Sequence, residues 1–375
     1  MSDVARILVL NCGSSSLKYQ LFDGDKVVDK GTVERIGEPG GGPADHAAAL
    51  RLMAGRVDLT GLGGVGHRVV HGGVRFAEPT LITDQVVAEI ERLVPLAPLH
   101  NPANLTGIAQ ARRLLPGVPQ VAVFDTAFHR TLPPEQASYA IDADIAQRYG
   151  IRRYGFHGTS HAYVSRRAAA LLGRAPADVD VITLHLGNGA SACAVAGGRS
   201  VATSMGLSPL EGLVMGTRSG DLDPAVVFHL ERVAGWSTAD VDRLLNQRSG
   251  LVGLTGAGDM REVLRRRADG DPAARLAFDI YCARIRFYVG GYHALLGRVD
   301  AIVFTAGVGE NAAPVRAAAL AGLDRIGVQV DARRNDDAHG ERMISPDGTP
   351  VQVWVVPTDE EYEIASQTRA VLTDG

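Results

Sequence analysis

Cysteine and lysine are both scarce in this chain of 375 residues. The three cysteines are Cys12, Cys193 and Cys282, and their wide spacing excludes a disulfide framework and argues against a zinc site built from cysteine ligands. Lysine occurs at positions 18, 26 and 30, so the rest of the 38 basic residues are arginines. No lysine follows a glycine, as the lysine of a P-loop does, so a P-loop is excluded as well.

The chain also lacks a large excess of either charge and any long apolar run. Its 38 basic and 42 acidic residues leave a formal charge of −4, which gives no electrostatic attraction to nucleic acid or to an acidic membrane. Nowhere do eighteen apolar residues follow one another, and the first residues do not resemble a signal peptide. We therefore expect a cytoplasmic protein that binds neither nucleic acid nor a membrane.

Glycine and apolar residues, by contrast, are plentiful. Glycine makes up 44 of the 375 residues, which exceeds the average usage of about 7% and indicates many tight loops. Hydrophobic residues make up 46% of the chain. A chain of this length and composition can form two domains, each with its own core.

One pattern of strands occurs twice. Residues 6–11, 17–23 and 26–35 are predicted as three strands joined by a Gly/Ser loop and a turn. Residues 180–186 and 191–196, followed by a third strand, repeat the pattern about 175 residues later with negligible sequence identity. Helices follow both copies, so we predict two similar α/β domains that face each other across a cleft.

Further elements are predicted after each copy. The strands among them are residues 66–70, 118–124, 301–305 and 327–331. The helices are residues 45–54, 84–93, 101–115, 162–172, 312–321 and 361–372. The last helix comes too late for the second copy, and we expect it to pack back onto the first domain.

Two glycine-rich loops resemble a dinucleotide fingerprint. Residues 61–66 fit G-x-G-x-x-G literally, but a β-branched strand follows them where a helix is required. Residues 307–312 follow a strand and lead into a helix, and the predicted strand 327–331 ends on an acidic residue. Only some forty residues remain beyond that strand, too few to complete even one mononucleotide-binding half of a dinucleotide-binding fold, so an NAD-dependent oxidoreductase is a minor alternative.

A third loop, residues 11–18, joins two predicted strands. Its hydroxyl groups, its backbone N–H groups and Lys18 are suited to polyphosphate. The alternative is a polar turn in which serine serves only turn formation. The segment alone leaves both interpretations open.

Nine sequence blocks, in order from residue 8 to residue 361, resemble blocks of the acetokinase family. They are LVLNCGSSSLKY at 8–19, GHRVVHGG at 66–73, APLHNP at 97–102, FDTAFH at 124–129, YGFHGTSH at 154–161, HLGNG at 185–189, MGTRSG at 215–220, TAGVGEN at 305–311 and PTDEE at 357–361. No single block is specific, but nine in this order span essentially the whole chain and are specific together.

The resemblance implies a duplicated ribonuclease H-like fold of the actin, sugar-kinase and Hsp70 type with a central cleft. Residues 1–129 plus 363–375 would form the N-terminal domain, and residues 130–362 the C-terminal, nucleotide-binding domain. It also implies an acetate kinase activity, in which ATP phosphorylates acetate reversibly and directly to give ADP and acetyl phosphate. Mg²⁺, with Mn²⁺ as a substitute, and a homodimeric assembly are implied in the same way.

Four residues match the catalytic positions of the family. Arg68 and Arg218 match its two active-site arginines, whose guanidinium forks suit carboxylate and phosphoryl oxygens. Asp125 matches the aspartate that orients an arginine or the metal's surroundings, and His157 matches the histidine that donates to the transferring phosphoryl group. Phosphoryl transfer depends on in-line positioning and on cancelling charge, so these residue types are appropriate.

The resemblance also assigns binding residues. Asn11 and Glu360 match a magnesium-binding pair, and oxygen ligands of this kind suit Mg²⁺. The pocket for acetate is matched by Val70, Leu99, His100, Phe156 and Pro209. The nucleotide positions are Ser14, Ser16, Lys18, His185, Leu186, Gly187, Asn188, Gly189, Asp259, Met260, Arg261, Gly307, Val308, Gly309, Glu310 and Asn311.

Structural alternatives accompany several of these residues. Asp125 and Asp259 are also preferred N-cap types, and Thr358 with Glu361 fits a capping box that would explain Glu360 as a helix former. His157 and His161 have the spacing of two zinc ligands on a helix, although a helix through Gly158 is not expected. For Arg68 and Arg218, taken without the resemblance, the default interpretation is a position on the protein surface.

Two other functions stay open at this point. A propionate or butyrate kinase differs only in the acyl pocket, where one methylene changes the free energy by about 1–3 kcal/mol. An ATPase-fold interaction module would bind the nucleotide without forming an acyl phosphate. In addition, Cys12 stands where the family usually has alanine, and we expect it to make the first phosphate loop sensitive to thiol reagents.

Overall fold

The computed structural model describes residues 6–13, 15–38, 41–98, 100–336 and 340–374. The chain divides into two compact units. The first unit takes in the residues up to Arg130, Gly158–Ser160 and the residues from Asp359 onward. The second unit takes in Thr131–His157 and His161–Thr358. The domain boundaries expected at residues 129 and 363 therefore fall one and four residues from boundaries of these units.

Each unit contains a six-stranded sheet. The strands of the first unit are β1 (Arg6–Cys12), β2 (Ser16–Asp23), β3 (Lys26–Glu34), β4 (Gly64–Val69), β5 (Thr80–Leu81) and β6 (Gln120–Phe124). Those of the second unit are β7 (Asp180–Leu186), β8 (Ala190–Ala196), β9 (Arg199–Thr203), β10 (Ala301–Thr305), β11 (Arg342–Met343) and β12 (Gln352–Val355).

The two sheets have the same topology. The first has the order β3-β2-β1-β4-β6-β5 and the second the order β9-β8-β7-β10-β12-β11. In both, three antiparallel strands are followed by two parallel ones, and a short antiparallel strand forms the far edge. The duplicated fold predicted from the sequence is confirmed.

Helices cover the sheets. In chain order they are α1 (His46–Ala54), α2 (Asp84–Arg92), α3 (Asn101–Leu114), α4 (Pro134–Ala137), α5 (Ala143–Tyr149), α6 (Gly158–Leu171), α7 (Ala225–Ala234), α8 (Thr238–Gln247), α9 (Gly250–Thr255), α10 (Met260–Ala268), α11 (Pro272–Leu296), α12 (Ala306–Asn311), α13 (Ala313–Leu320), α14 (Ala332–Asp336) and α15 (Glu360–Asp374). None of the helices in the described ranges is long and apolar enough to cross a membrane.

Alternation along β1 explains how the first unit is layered. Leu8 and Leu10 point into a core that α1 and α3 complete on one face of the sheet. Ile7 and Val9 point to the other face, where Ile364 of α15 belongs to the same apolar cluster. Because both faces are covered, β1 is apolar at nearly every position. The last helix thus packs on the first sheet.

Three element predictions are wrong. The strand expected at residues 327–331 is reduced to a single bridge between Val328 and Val351. The helix expected at 312–321 is preceded by a separate helix, α12, so the loop predicted at 307–311 is helical. The helix predicted to begin at residue 162 begins at Gly158, where a helix was not expected.

Close backbone packing accounts for the glycine at the start of α6. The Gly158 N–H donates to the Asp125 carbonyl at 2.9 Å, and a Cβ on Gly158 would lie 2.2 Å from that oxygen. His157 precedes the helix with φ 56°, a left-handed conformation that is uncommon outside glycine. Glycine is thus present for the contact rather than as a helix breaker.

Candidate active site

In the first unit, three predicted site residues lie at one edge of the sheet. β1, β4 and β6 are parallel neighbours, so their carboxyl ends meet at this edge. Asn11 lies near the end of β1, Arg68 near the end of β4, and Asp125 directly after β6. The sheet therefore brings together residues that are far apart in sequence.

Arg68 is the centre of this group. Its Nε donates to Asp125 Oδ1 at 3.0 Å and its Nη2 to Oδ2 at 2.5 Å, a bidentate pair. Its Nη1 reaches Asn11 Oδ1 at 3.4 Å, and its Nε lies 3.8 Å from Glu360 Oε2. The Asp125 side chain is 1% exposed, whereas that of Arg68 is 21% exposed. The carboxylate thus holds the guanidinium in one orientation and leaves part of it accessible.

The charges of the group are coupled. Burial raises the pKa of the Asp125 carboxyl to about 6; Arg68 opposes this shift, and Glu360 adds to it. Although burial lowers the pKa of the Arg68 guanidinium, Asp125 and Glu360 raise it above its ordinary value. Burial and Glu360 also raise the pKa of Glu361, which Lys18 partly offsets. Counted by formal charge, the three acidic residues of this group, Asp125, Glu360 and Glu361, outnumber the two basic ones, Arg68 and Lys18.

That surplus suits a divalent cation. The amide oxygen of Asn11 and the carboxylate of Glu360 are the hard oxygen ligands that Mg²⁺ accepts, and Mg²⁺ commonly takes only one or two protein ligands beside phosphate and water. No cluster of three or more His, Cys, Asp or Glu side chains suited to a metal occurs among the described residues. The residues present therefore fit Mg²⁺ held in part by a substrate.

Two residues that the sequence did not single out position this group. Asn104 on α3 donates to the Cys12 carbonyl at 2.9 Å and accepts from the Val70 N–H at 3.1 Å, so one side chain ties together the ends of β1 and β4. The Thr159 hydroxyl donates to Glu360 Oε2 at 3.3 Å, and it opposes the rise in the pKa of the Asp125 carboxyl. Neither role was predicted, because the partners of both side chains lie far away in the sequence.

The structure decides several of the structural alternatives. The carboxylate of Asp125 binds a guanidinium rather than serving only as a cap. In the first turn of α15, Asp359 acts as a cap, because its Oδ1 accepts from the Tyr362 N–H at 2.9 Å. Asp259 does cap α10, accepting from the Arg261 N–H at 2.8 Å.

In the second unit, His157 and Arg218 lie beside the loop that joins β7 and β8. A Cβ on Gly189 would lie 3.4 Å from His157 Nε2 and 3.5 Å from Arg218 Nη2, so both side chains approach the same glycine. The His157 ring stacks on His185 with centroids 4.2 Å apart. Arg218 Nη1 donates to the Pro209 carbonyl at 2.8 Å, and burial lowers the pKa of the guanidinium. Here a backbone carbonyl, rather than a carboxylate, accepts the hydrogen bond of the guanidinium.

A cavity of about 500 Å³ opens next to this loop. Eight predicted nucleotide residues line it together with Leu251, Gly258, Tyr281 and Ala312. The eight are Gly187, Asn188, Asp259, Met260, Arg261, Gly307, Val308 and Asn311. The cavity size fits a ligand the size of a nucleoside. Tyr281 and Leu251 were not predicted, since apolar residues inside helices indicate a core first.

The other residues predicted to bind the nucleotide lie outside the lining of this cavity. Leu186 and Gly309 are buried, and the Glu310 carboxylate accepts from the Thr358 N–H at 3.3 Å. Ser16 and Lys18 belong to the first unit, and Ser14 lies outside the described residues. Their roles, and those of His185 and Gly189, stay predictions.

The predicted acetate pocket draws on both units and stays a prediction. Val70 is nearly buried at the end of β4, and His100 is the residue before α3. Phe156 and Pro209 belong to the second unit, and Phe156 is 2% exposed. Leu99 lies outside the described residues.

The expectation that Cys12 is reactive is wrong. The side chain is 4% exposed, and burial raises the pKa of the thiol to about 12. Nucleophilic attack needs the thiolate and access to the reagent, and both are suppressed here. A Cβ on Gly107 would lie 2.3 Å from its sulfur, which shows how tightly α3 encloses it.

Comparisons with known proteins agree with the residue blocks. The sequence model of the Acetokinase family matches residues 43–366. The acetate kinase of Streptomyces griseus subsp. griseus is 62% identical, over 98% of this chain and 97% of that protein. The acetate kinase of Leifsonia xyli subsp. xyli is 55% identical, over 99% and 100%.

Solved structures are similar over the same extent. The crystal structure of Porphyromonas gingivalis acetate kinase has a TM-score of 0.92 at 42% identity and covers 98% of this chain and 100% of that one. A propionate kinase from Francisella tularensis has a TM-score of 0.93 at 39% identity, with 98% and 99% covered. Both similarities extend across the two units.

Proposed function

Because the chain belongs to the acetokinase family, a family of phosphotransferases that act on a carboxyl group, we propose that it transfers the γ-phosphoryl group of ATP to acetate, reversibly, giving ADP and acetyl phosphate. The observation that carries this proposal is the arginine fork of Arg68, held by a buried Asp125 and still partly exposed. Such a fork suits a carboxylate or a phosphoryl group.

In this reaction two anions must meet, so the site must cancel charge. Arg68 binds and orients oxygens of the carboxylate or of the transferring group, and Asp125 keeps its guanidinium in place. Arg218 supplies a second cation, and His157 donates a hydrogen bond from Nε2. Because phosphoryl transfer needs little covalent work from the protein, positioning and charge cancellation account for catalysis.

The cavity in the second unit is proposed to hold the adenosine of ATP. Helix α12 supplies Gly307, Val308 and Asn311 to its wall, and the β7–β8 loop supplies Gly187 and Asn188. Glycines let the backbone approach the phosphates closely, which is the role that a P-loop plays elsewhere.

Asn11 and Glu360 are proposed to hold Mg²⁺ together with the nucleotide. The cation supplies charge neutralisation of the phosphates when it is bound. Mn²⁺ prefers the same oxygen ligands and is expected to substitute. The excess negative charge around Asp125, Glu360 and Glu361 supports this assignment.

We propose a homodimer, and helix α11 offers a surface for it. Leu276, Ala283, Phe287 and Gly291 are exposed and follow one face of the helix at helical spacing. Phe287 is 71% exposed, which is unusual for phenylalanine outside an interface. Light scattering tests the proposal: Phe287→Glu should be monomeric where the unmodified protein is dimeric.

We propose the cytoplasm as its compartment. Cys12, Cys193 and Cys282 are buried and form no disulfide bond, which suits a reducing environment. The predictions that the protein binds neither nucleic acid nor a membrane rest on its formal charge of −4. Fractionation and a nucleic-acid binding assay would check these points.

Hydroxylamine trapping of acyl phosphate tests the activity. The protein is incubated with Mg-ATP and, separately, with formate, acetate, propionate and butyrate. We expect acetate to give the highest kcat/KM and propionate to be a poorer substrate, because one methylene is worth about 1–3 kcal/mol in an apolar pocket. The matched control is Arg75→Ala, which removes an exposed arginine of the first unit.

The other outcomes separate the alternatives. A higher kcat/KM for propionate would favour the activity named for the Francisella tularensis relative and would show that the acyl pocket is misassigned. ATP binding without any acyl phosphate would contradict the proposed reaction and favour an interaction module.

A further inference from the structure

A chain of hydrogen bonds lies behind His157 in the second unit. His157 Nδ1 is 2.8 Å from Ser191 Oγ, and the same oxygen is 2.8 Å from His161 Nε2. His161 Nδ1 is in turn 2.7 Å from Thr183 Oγ1. His161, Ser191 and Thr183 are all fully buried. These contacts use both ring nitrogens of His161, so they explain its spacing from His157 without a zinc ion.

The number of protons limits this series of hydrogen bonds to two arrangements. When both imidazoles are neutral and the Ser191 hydroxyl proton is itself used in one of these contacts, Ser191 donates to one imidazole and accepts from the other. In the first arrangement Thr183 donates to His161 Nδ1, His161 Nε2–H donates to Ser191, and Ser191 donates to His157 Nδ1. A neutral His157 then carries its proton on Nε2. In the second arrangement every donor and acceptor is reversed.

Thr183 decides between the arrangements. In the first, its hydroxyl proton goes to His161 Nδ1. In the second, that nitrogen carries a proton of its own, and the hydroxyl proton of Thr183 has no acceptor among the residues that the structure describes. Buried hydroxyl groups avoid such a loss, so the first arrangement is favoured.

The favoured arrangement points the proton of His157 toward the proposed reaction site. The Nε2 edge of the ring lies beside Gly189 and close to Arg218 Nη2, next to the glycine-rich loop that lines the cavity. Stacking on His185 restricts rotation of the ring. An anionic oxygen placed there would find a cation and a hydrogen-bond donor together.

We propose that Thr183, His161 and Ser191 are positioning residues that fix His157 as its Nε2–H tautomer, so that it donates to the transferring phosphoryl group. The catalytic purpose of this relay rests on the proposed function, whereas the tautomer itself is a property of the free protein. The two can therefore fail separately.

The direct test is ¹⁵N NMR of the histidine-labelled protein without substrates. His157→Gln assigns the His157 signals by their loss. We expect a pyrrole-type Nε2 and a pyridine-type Nδ1 for His157. A pyrrole-type Nδ1 in the unmodified protein would overturn the proposal, whatever happens to any variant.

Two substitutions at Thr183 test the direction of the relay. Thr183→Val keeps the shape but removes the hydroxyl, and we expect the His157 signals to move toward a mixture of tautomers. Thr183→Ser keeps the hydroxyl and should restore the original pattern. An unchanged pattern in Thr183→Val would contradict the role of Thr183.

Kinetics of Ser191→Ala test the link to catalysis. We expect kcat to fall at least about tenfold, with KM for ATP within about twofold, because the donor is needed at the transferring group and not for nucleotide binding. An unchanged kcat would overturn the catalytic part of the proposal. Absence of acyl phosphate from the unmodified protein, with the expected tautomer present, would instead refute the proposed function alone.

Discussion

The hairpin loop between β1 and β2 and the loop between β7 and β8 occupy the same place in two sheets of identical topology, yet their chemistry differs. The first contains Ser15 and joins Asn11 on β1 to Lys18 on β2, next to a group built on ion pairs. The second, Gly187–Gly189, contains neither charge nor hydroxyl and lies next to imidazoles and a cavity. The same scaffold thus occurs twice, and one copy places an arginine–carboxylate pair beside its loop, whereas the other places an arginine held by a backbone carbonyl there.

The difference extends to the two arginines. Arg68 is neutralised by a buried carboxylate, and removing either partner leaves an uncompensated charge. Arg218 donates to the carbonyl of Pro209, so its loss leaves only a carbonyl to be satisfied. We infer that both contribute to catalysis, but that only Arg68 also contributes strongly to stability.

The largest effect is expected from Arg68→Ala. Turnover should fall by a factor of about 10²–10³, because a fixed charge at the transferring group is lost. Unfolding should become easier by about 3–5 kcal/mol, because the Asp125 carboxylate is left buried without its partner. Steady-state kinetics and urea denaturation measure the two effects, with Arg75→Ala as the exposed control. Turnover within threefold of the unmodified enzyme would refute the assignment.

Arg218→Ala should separate the two effects. We expect a loss of turnover of about 10²-fold, with a change in unfolding free energy below about 1.5 kcal/mol, since one hydrogen bond to a carbonyl is lost. The same two measurements apply. A stability loss as large as that of Arg68→Ala would show that the contrast between the two halves is mistaken.

A buried histidine of the first unit, His67, should lower the stability of the protein in acid. Burial lowers the pKa of His67 to about 4, although its hydrogen bond with Gln120 opposes the shift. Between pH 6.5 and 4 the unfolded chain binds a proton that the folded chain excludes, so stability present above pH 6.5 is lost as the pH falls. The loss amounts to about 3 kcal/mol.

Urea denaturation at pH 7 and pH 4.5 measures this loss. His67→Gln should show a smaller decrease than the unmodified protein, and the exposed His229→Gln should not. Equal decreases in all three proteins would contradict the role of His67.

The smallest effect is expected at the nucleotide cavity. Asn311 lines it and donates to the Gly307 carbonyl four residues earlier, at 2.8 Å. Asn311→Ala should raise KM for ATP about two- to tenfold and leave kcat nearly unchanged, because one hydrogen bond is worth about 0.5–1.5 kcal/mol. Asn246 makes the same bond to Asp242 on a helix away from the cavity, so Asn246→Ala is a matched control. Equal effects of both substitutions would contradict the assignment.

The duplicated sheets could be predicted because local signals agree with them. Strand length, apolar runs and turn residues identify β1–β3 and β7–β8 closely. The start of α6 could not be predicted, since Gly158 is set by a contact with Asp125, which lies far away in sequence. The strand at 327–331 failed for a similar reason: its sequence suits a strand, but it makes only one bridge.

The residues of the candidate site also differ in whether the sequence alone could predict them. Arg68, Asp125 and Asn311 lie in glycine-rich or polar blocks at strand ends, and such blocks are visible in a sequence. Asn104 and Ser191 act through buried side-chain hydrogen bonds to partners in other elements. Such partners become visible only when the sheet brings the elements together.

The central claim is that Arg68 of the first unit acts on the transferring group, whereas the cavity of the second unit binds the adenosine of ATP. Equilibrium dialysis of ATP with Mg²⁺, without acetate, tests it directly in Arg68→Ala and the unmodified protein. We predict dissociation constants within about threefold of each other, although turnover differs by about 10²–10³. A loss of ATP affinity as large as the loss of turnover would contradict this division between the two units.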